Sequence, residues 1–482
     1  MKKLFQWVMA ATLICGLSVF TACSSGSDDN QEPVVKPDPV VNPDPDDNGA
    51  NSSSDVIGYI ECSWNGTEVV KNPLVKLCPS INELTAAKED EVIYTSGFFY
   101  VTGTHTIEGG IGVQDDKELN IILCDGAELK VQNIAVDNAM LRIFGQEKGT
   151  GKLTITDPGN GDPAIGPYTE SGGTIEIHGG VITANGGKGA AGIGAGYLLN
   201  DLLGHNSLSF RSIVIFGGTI NATGGAGSAG IGNGVFSPQK GKIEIYGGDI
   251  TAQGGGYYTG MDQYGGAGIG GGCDHAVNSI YIYDGNIKAY GGTDAAGIGC
   301  GEDTPNGEGT INICGGTIVA QGGDYAAGIG GGDGVRMKVI EISGGTVYAY
   351  AGKNGAGIGG GEGGESGDIT ISGGIVRAYG DRYYTGSSNS GYGSGIGSGQ
   401  AASVNTIIIK GGDIEAYGGE DGAGIGTGEE YGSDINSGTI EIHGGKVWAE
   451  GKGYGAGIGC GEDATFGVLG ISGGRVDRKS VG

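Results

Sequence analysis

Positive charge is what this sequence has least of: 27 Lys and Arg stand against 55 Asp and Glu, a formal net charge of −28 over 482 residues. A surface this acidic repels phosphate backbones, which argues against nucleic acid as a partner and leaves cations, neutral glycans or proteins. No two cysteines stand as CxxC, so the usual zinc spacing is missing. After Phe20 no apolar stretch is long enough to span a bilayer. Glycine is abundant, at 109 residues, but not at every third position, and a collagen-type helix is excluded as well.

The chain opens with Lys2 and Lys3, an apolar run from Leu4 to Phe20 too short for a comfortable membrane span, and then Thr21-Ala22-Cys23. That is the pattern of a signal peptide over 1–22. Small residues ahead of a cysteine resemble the lipobox of bacterial lipoproteins. The resemblance implies cleavage before Cys23, lipidation of Cys23, and attachment to the membrane through that lipid anchor alone. Ser24 to Asp29 resembles the acidic signal that sends some Gram-negative lipoproteins to the outer leaflet, so the expected location is the outer membrane, facing outward. Residues 23–55 are rich in Pro, Asp, Asn and Ser, with the near-repeat Lys36-Pro37-Asp38-Pro39 and Asn42-Pro43-Asp44-Pro45. They cannot bury enough apolar surface to fold and read as an extended, disordered stalk. Of the 9 cysteines, Cys15 leaves with the signal peptide and Cys23 carries the lipid. The rest are odd in number, so at least one is unpaired; Cys62 and Cys78 are expected to close a disulfide, as export permits.

What dominates the sequence is self-similarity. Ala-Gly-Ile-Gly recurs with its isoleucine at Ile193, Ile231, Ile269, Ile298, Ile329, Ile358, Ile425 and Ile458, and Ile165 and Ile396 head degenerate copies. The spacing predicts coils of roughly thirty residues, some carrying a loop insertion, and about ten of them. Within a unit, Thr174-Ile175-Glu176-Ile177-His178 alternates apolar and polar, Gly179-Gly180 turns the chain, Val181 to Asn185 alternates again, and Ala191-Gly192-Ile193-Gly194 closes the coil. Stacking at about 4.8 Å aligns Ile175, Ile213, Ile243, Ile280, Ile311, Ile340, Ile369, Ile407 and Ile440 in one buried ladder. The predicted fold is all-β, a three-sided parallel β-helix, right-handed because parallel crossovers nearly always are.

These residues resemble the glycine-rich β-helix repeats of bacterial surface proteins, a family some of whose members are labelled carbohydrate-binding domains. Leu141 to Gln146 followed by Gly151-Lys152-Leu153 looks like the family's lead-in. The resemblance covers 100–476 and implies surface display and glycan binding; it carries over no catalytic residue. Residues 56–99 fall outside it and are expected to form an N-terminal cap or small module. Asp477 to Gly482 break the repeat and resemble a translated sequencing adapter, so 477–482 read as a non-native tail on an incomplete last coil.

Three sets of outward residues carry candidate chemistry. Four residues after the marker isoleucine stand Glu302, Asp333, Glu362, Glu429 and Glu462, with Gln400 in the degenerate coil. Carboxylates stacked about 5 Å apart repel by about 0.8 kcal/mol per pair in water. A Ca2+ ion would relieve that repulsion and could bridge a uronic-acid glycan. The end of the second strand gives Asn185, Thr223, Gln253, Tyr290, Gln321, Tyr350, Tyr379, Tyr417 and Glu450, where tyrosine faces suit sugar rings and amides suit hydroxyls. Two insertions carry Tyr257-Tyr258 and Tyr383-Tyr384, placed about 19 Å apart by the strand spacing so as to flank an extended ligand. A third, Tyr197 to Leu203, reads as a short helix covering the solenoid or, alternatively, as a partner contact.

The expected function is glycan binding at the cell surface, with adhesion to protein or matrix as the alternative. A polysaccharide lyase or glycoside hydrolase is the third reading, since a β-helix does not choose between them. A lyase would need a basic residue beside its substrate site, and Lys288 and Arg377 lie on the outward file of Tyr348 but several coils apart. His178 and His443 read as exposed strand positions, and no motif diagnostic of an enzyme stands out.

Overall fold

The computed structural model describes residues 54–84, 91–169, 172–197, 208–237, 241–256, 265–274, 279–302, 309–380, 391–430, 438–465 and 467–481. They form three parallel sheets running the length of a solenoid. Each coil contributes one short strand to sheet 3, then one to sheet 1, then one to sheet 2. The first coil is Val92–Tyr94, Gly97–Val101 and Thr104–Ile107; the thirteenth is Ile458–Gly459, Val468–Ile471 and Arg475–Val481. The chain is a three-sided parallel β-helix.

The ladder from Ile175 to Ile440 pairs in register through sheet 1, and none of its members is more than 2% exposed. Each buried isoleucine contributes about 1.5–3 kcal/mol relative to exposure, gross of the entropy of ordering the coil. Sheet 2 points an isoleucine or valine and then an alanine inward, as at Ile182 and Ala184. Sheet 3 is narrower because neighbouring backbones nearly touch. From Ile193 onward the glycine after each marker isoleucine has φ between 133° and 141°, and a Cβ on Gly330 would stand 1.9 Å from the carbonyl oxygen of Gly359 one coil on. Only glycine permits that approach.

All ten marked coils are present, and three unmarked ones precede them. In those, sheet 3 uses Ile111 and Val113 or Ile134 and Val136, and larger side chains such as Leu119, Leu123 and Leu141 fill the interior. The wider sheet 3 needs no Ala-Gly-Ile-Gly signature.

Ahead of the coils, β1 (Ser54–Trp64) and β2 (Val69–Pro79) form an antiparallel hairpin. It lies along the side of the solenoid rather than over its end. The Tyr100 hydroxyl of coil 1 donates to Asp55, Tyr59 packs on Phe144 of coil 3, the Cys62 amide donates to His178 of coil 4, and Trp64 sits on Tyr246 and Tyr283 of coils 6 and 7. Nine strand steps span about 30 Å, and six coil spacings about 29 Å, so β1 runs nearly parallel to the solenoid axis. The expected Cys62–Cys78 disulfide is absent: both thiols are free. In the hairpin register Cys62 faces Lys71 while Cys78 faces Asp55. Seven residues of extended strand, about 23 Å, separate the two positions, far beyond disulfide reach.

At the other end, Arg475–Val481 continues sheet 2, with Val476 opposite Val447 and Arg478 opposite Ala449. Arg478 thereby occupies the register position that alanine fills in the coils before it. Among the described residues no helix is long and apolar enough to cross a membrane.

Candidate functional site

Parallel in-register strands place equivalent side chains one strand spacing apart, close to the separation at which aromatic rings stack. On sheet 2, Tyr350 and Tyr379 stack with centroids 4.9 Å apart and planes 5° from parallel, and Tyr379 and Tyr417 at 5.2 Å and 5°. Their faces are turned on one another, so this trio presents ring edges and hydroxyls rather than the open faces the sequence suggested. Burial, then the neighbouring Tyr348, pushes the Tyr350 hydroxyl upward. The Tyr417 hydroxyl donates to Glu415 at 2.9 Å. Tyr290 lies in the same file but is separated from Tyr350 by Gln321.

Beside the trio, the Arg377 guanidinium meets Asp413 at 3.3 Å and Glu415 at 3.1 Å, and its side chain is 17% exposed. The Lys446 hydrogen bond and then the Arg377 charge outweigh desolvation at Asp413, whose carboxyl is held low. Lys288 and Arg377 are three coils apart in register, about 14 Å, so they do not act on one point. Trp448 shares that file. The sequence reading passed over it, although its place two residues before Glu450 marks it as outward.

The acidic file stands at the corner between sheets 3 and 1. Glu302 and Glu429 are buried, and Asp333, Glu362 and Glu462 are half-buried. Amides interrupt the run of charge: Gln400 donates to Glu429 at 2.8 Å and Asn354 to Glu362 at 2.7 Å. Glu429 and Glu462 converge with Asp421, their oxygens all within 4.8 Å of one another. Partial desolvation, then Asp421 and Asp463, pushes Glu462 up. Asp421 was missed because it stands four residues before its marker isoleucine, not after. Asp294 holds the same place in coil 7, and burial, then Asp324 and Glu362, pushes its carboxyl up to about 6.

His178 is not an exposed strand residue. Only 7% exposed, it is sandwiched between Phe144 at 4.7 Å and Phe216 at 4.9 Å in a stack that continues through Tyr246 and Tyr283. Its Nδ1 accepts the Cys62 amide at 3.0 Å, so in the neutral ring Nε2 carries the proton, 3.5 Å from Glu176. Between the hairpin and the glycine turns beneath it runs a groove of about 670 Å³, bordered by Ile60, Phe216 and Tyr246. His443 is exposed and bonded to Glu441 and Ser472.

Cys23, Tyr257, Tyr258, Tyr383 and Tyr384 lie outside the described residues, as does most of the Tyr197 to Leu203 insertion.

Nine stretches of the chain match the Beta helix repeat: 175–197, 213–235, 243–273, 280–302, 311–333, 340–362, 369–400, 407–429 and 435–462. The chain is therefore a parallel β-helix repeat protein. No curated protein and no solved structure matches it.

Proposed function

We propose that this is a surface-displayed lipoprotein that binds a glycan along sheet 2. The carrying observation is the row of Tyr350, Tyr379 and Tyr417, stacked at 4.9 and 5.2 Å. Rings locked by their neighbours hold their hydroxyls at a fixed pitch with little rotamer freedom left to lose, which lowers the entropy of engaging a polymer of repeating hydroxyls. In this reading the signal peptide and Cys23 lipid put the solenoid on the outer membrane. A glycan array probed with the full exported chain and with the Tyr350→Ala, Tyr379→Ala, Tyr417→Ala triple variant tests it: retention that the variant loses supports it. Retention equal in the two proteins places binding elsewhere. Capture of matrix protein without any glycan would favour an adhesin, and release of reducing or unsaturated sugars would favour a hydrolase or lyase.

A second, separable reading is calcium assistance at Asp421, Glu429 and Glu462, favoured by the convergence of three carboxylates. Calcium should raise the melting temperature and a chelator reverse the rise; no change with either removes it.

A further inference from the structure

The charge on sheet 2 is unlike that of the chain as a whole. From coil 4 to coil 12 the strands share three outward positions, and among these twenty-seven stand three cations, Lys288, Arg377 and Lys446, and four anions, Asp249, Asp413, Glu415 and Glu450. The face is near neutrality in a protein of net charge −28. Its charges are also matched locally: Arg377 by Asp413 and Glu415, Lys446 by Asp413, and Glu450 by Lys479 of coil 13. Asp249 accepts a hydrogen bond from Asn286 at 2.8 Å. Most of the remaining positions are threonine, asparagine, glutamine and tyrosine, which offer both donors and acceptors without a fixed charge to desolvate.

Resting on the glycan-binding reading, we infer that the ligand of this face is an uncharged polysaccharide laid along the solenoid axis. A uronate or sulfated chain would need cations left unsatisfied by the protein, and the face holds its guanidinium and one of its two ammonium groups in ion pairs. It would also approach against the field of the whole acidic molecule. A neutral chain meets neither obstacle, and successive sugars would find equivalent groups at every coil, about 4.8 Å on.

The test is binding of the full exported chain to two soluble sets at low and high salt: mixed-linkage β-glucan, xylan and mannan on one side, polygalacturonate and chondroitin sulfate on the other. The expected result is retention of a neutral member, with affinity changing less than about twofold across salt. Acidic members should bind at least about tenfold more weakly, and Tyr379→Ala should abolish retention. Asp413→Asn with Glu415→Gln, which frees Arg377 and Lys446, should raise polygalacturonate binding without moving the melting temperature much. Salt-sensitive binding of an acidic member in preference to every neutral one overturns this inference and leaves the glycan reading standing. Retention of neither set overturns both.

Discussion

Replacing Gly330 with alanine tests the reason for the repeat's most regular feature. The residue has φ 138°, and the added Cβ would stand 1.9 Å from the Gly359 carbonyl oxygen, which accepts the Gly331 amide at 2.9 Å. Forcing a side chain into that backbone conformation costs about 1–3 kcal/mol. Pushing the coils apart orphans a buried amide at a further cost of about 1–3 kcal/mol. The combined penalty, about 4 kcal/mol, falls on the junction of coils 9 and 10, since a solenoid couples each unit to its neighbours. Amide hydrogen exchange reads it locally: at Ile329 and Gly331 the exchange should accelerate about a thousandfold, with far less change in coils remote from the junction. Gly363 is the control. It too has positive φ, 61°, but a Cβ there meets nothing within 4 Å, so Gly363→Ala should cost only about 1–2 kcal/mol. Equal exchange and equal denaturation midpoints in the two variants would refute the close-approach explanation.

Trp64→Ala removes the hairpin's hold on Tyr246 and Tyr283; it should destabilise by about 3 kcal/mol, with protection lost first in coils 6 and 7. At Glu176 burial favours the neutral acid, yet His178 and Arg142 outweigh it and hold the carboxyl below its ordinary 4.5. Its contribution is therefore full above that value and lost as pH falls through the lower folded one; in acid titrations of melting temperature Arg142→Gln should abolish much of this loss, and an unchanged profile would discount the pair. Burial pushes the Cys300 thiol up to about 12, so iodoacetamide should label half-buried Cys460 well before Cys300, whereas equal rates would mean that coil 8 opens readily.

The isoleucine ladders were legible because a coil can bury its inward positions only against identical ones, so the requirement is written afresh in every repeat. Ile175 to Ile440 fall where the pattern put them. The three leading coils were not legible: with sheet 3 built from Ile111, Val113 and Val136, the glycine marker has no steric reason to exist. The path of β1 was hidden for another reason. His178 meets Cys62, 116 residues away in sequence, through two hydrogen bonds and stacks on Phe144, and neither kind of contact has a period. At the candidate face the tyrosine file was visible, but not that its rings turn toward one another, because register says which residues are neighbours and not how their rings lie. Asp421 escaped for want of a rule joining positions before and after the marker.

The lengthwise run of β1 changes how the molecule would carry mechanical load. A pull on the chain entering at Ser54 acts along the axis, not across coil 1, and the attachments at Tyr100, Phe144, His178, Tyr246 and Tyr283 share it in shear. Peeling would break one coil's bonds at a time, each at low force. Shear must break several together, so an anchor upstream of Ser54 would hold seven coils as one block under drag.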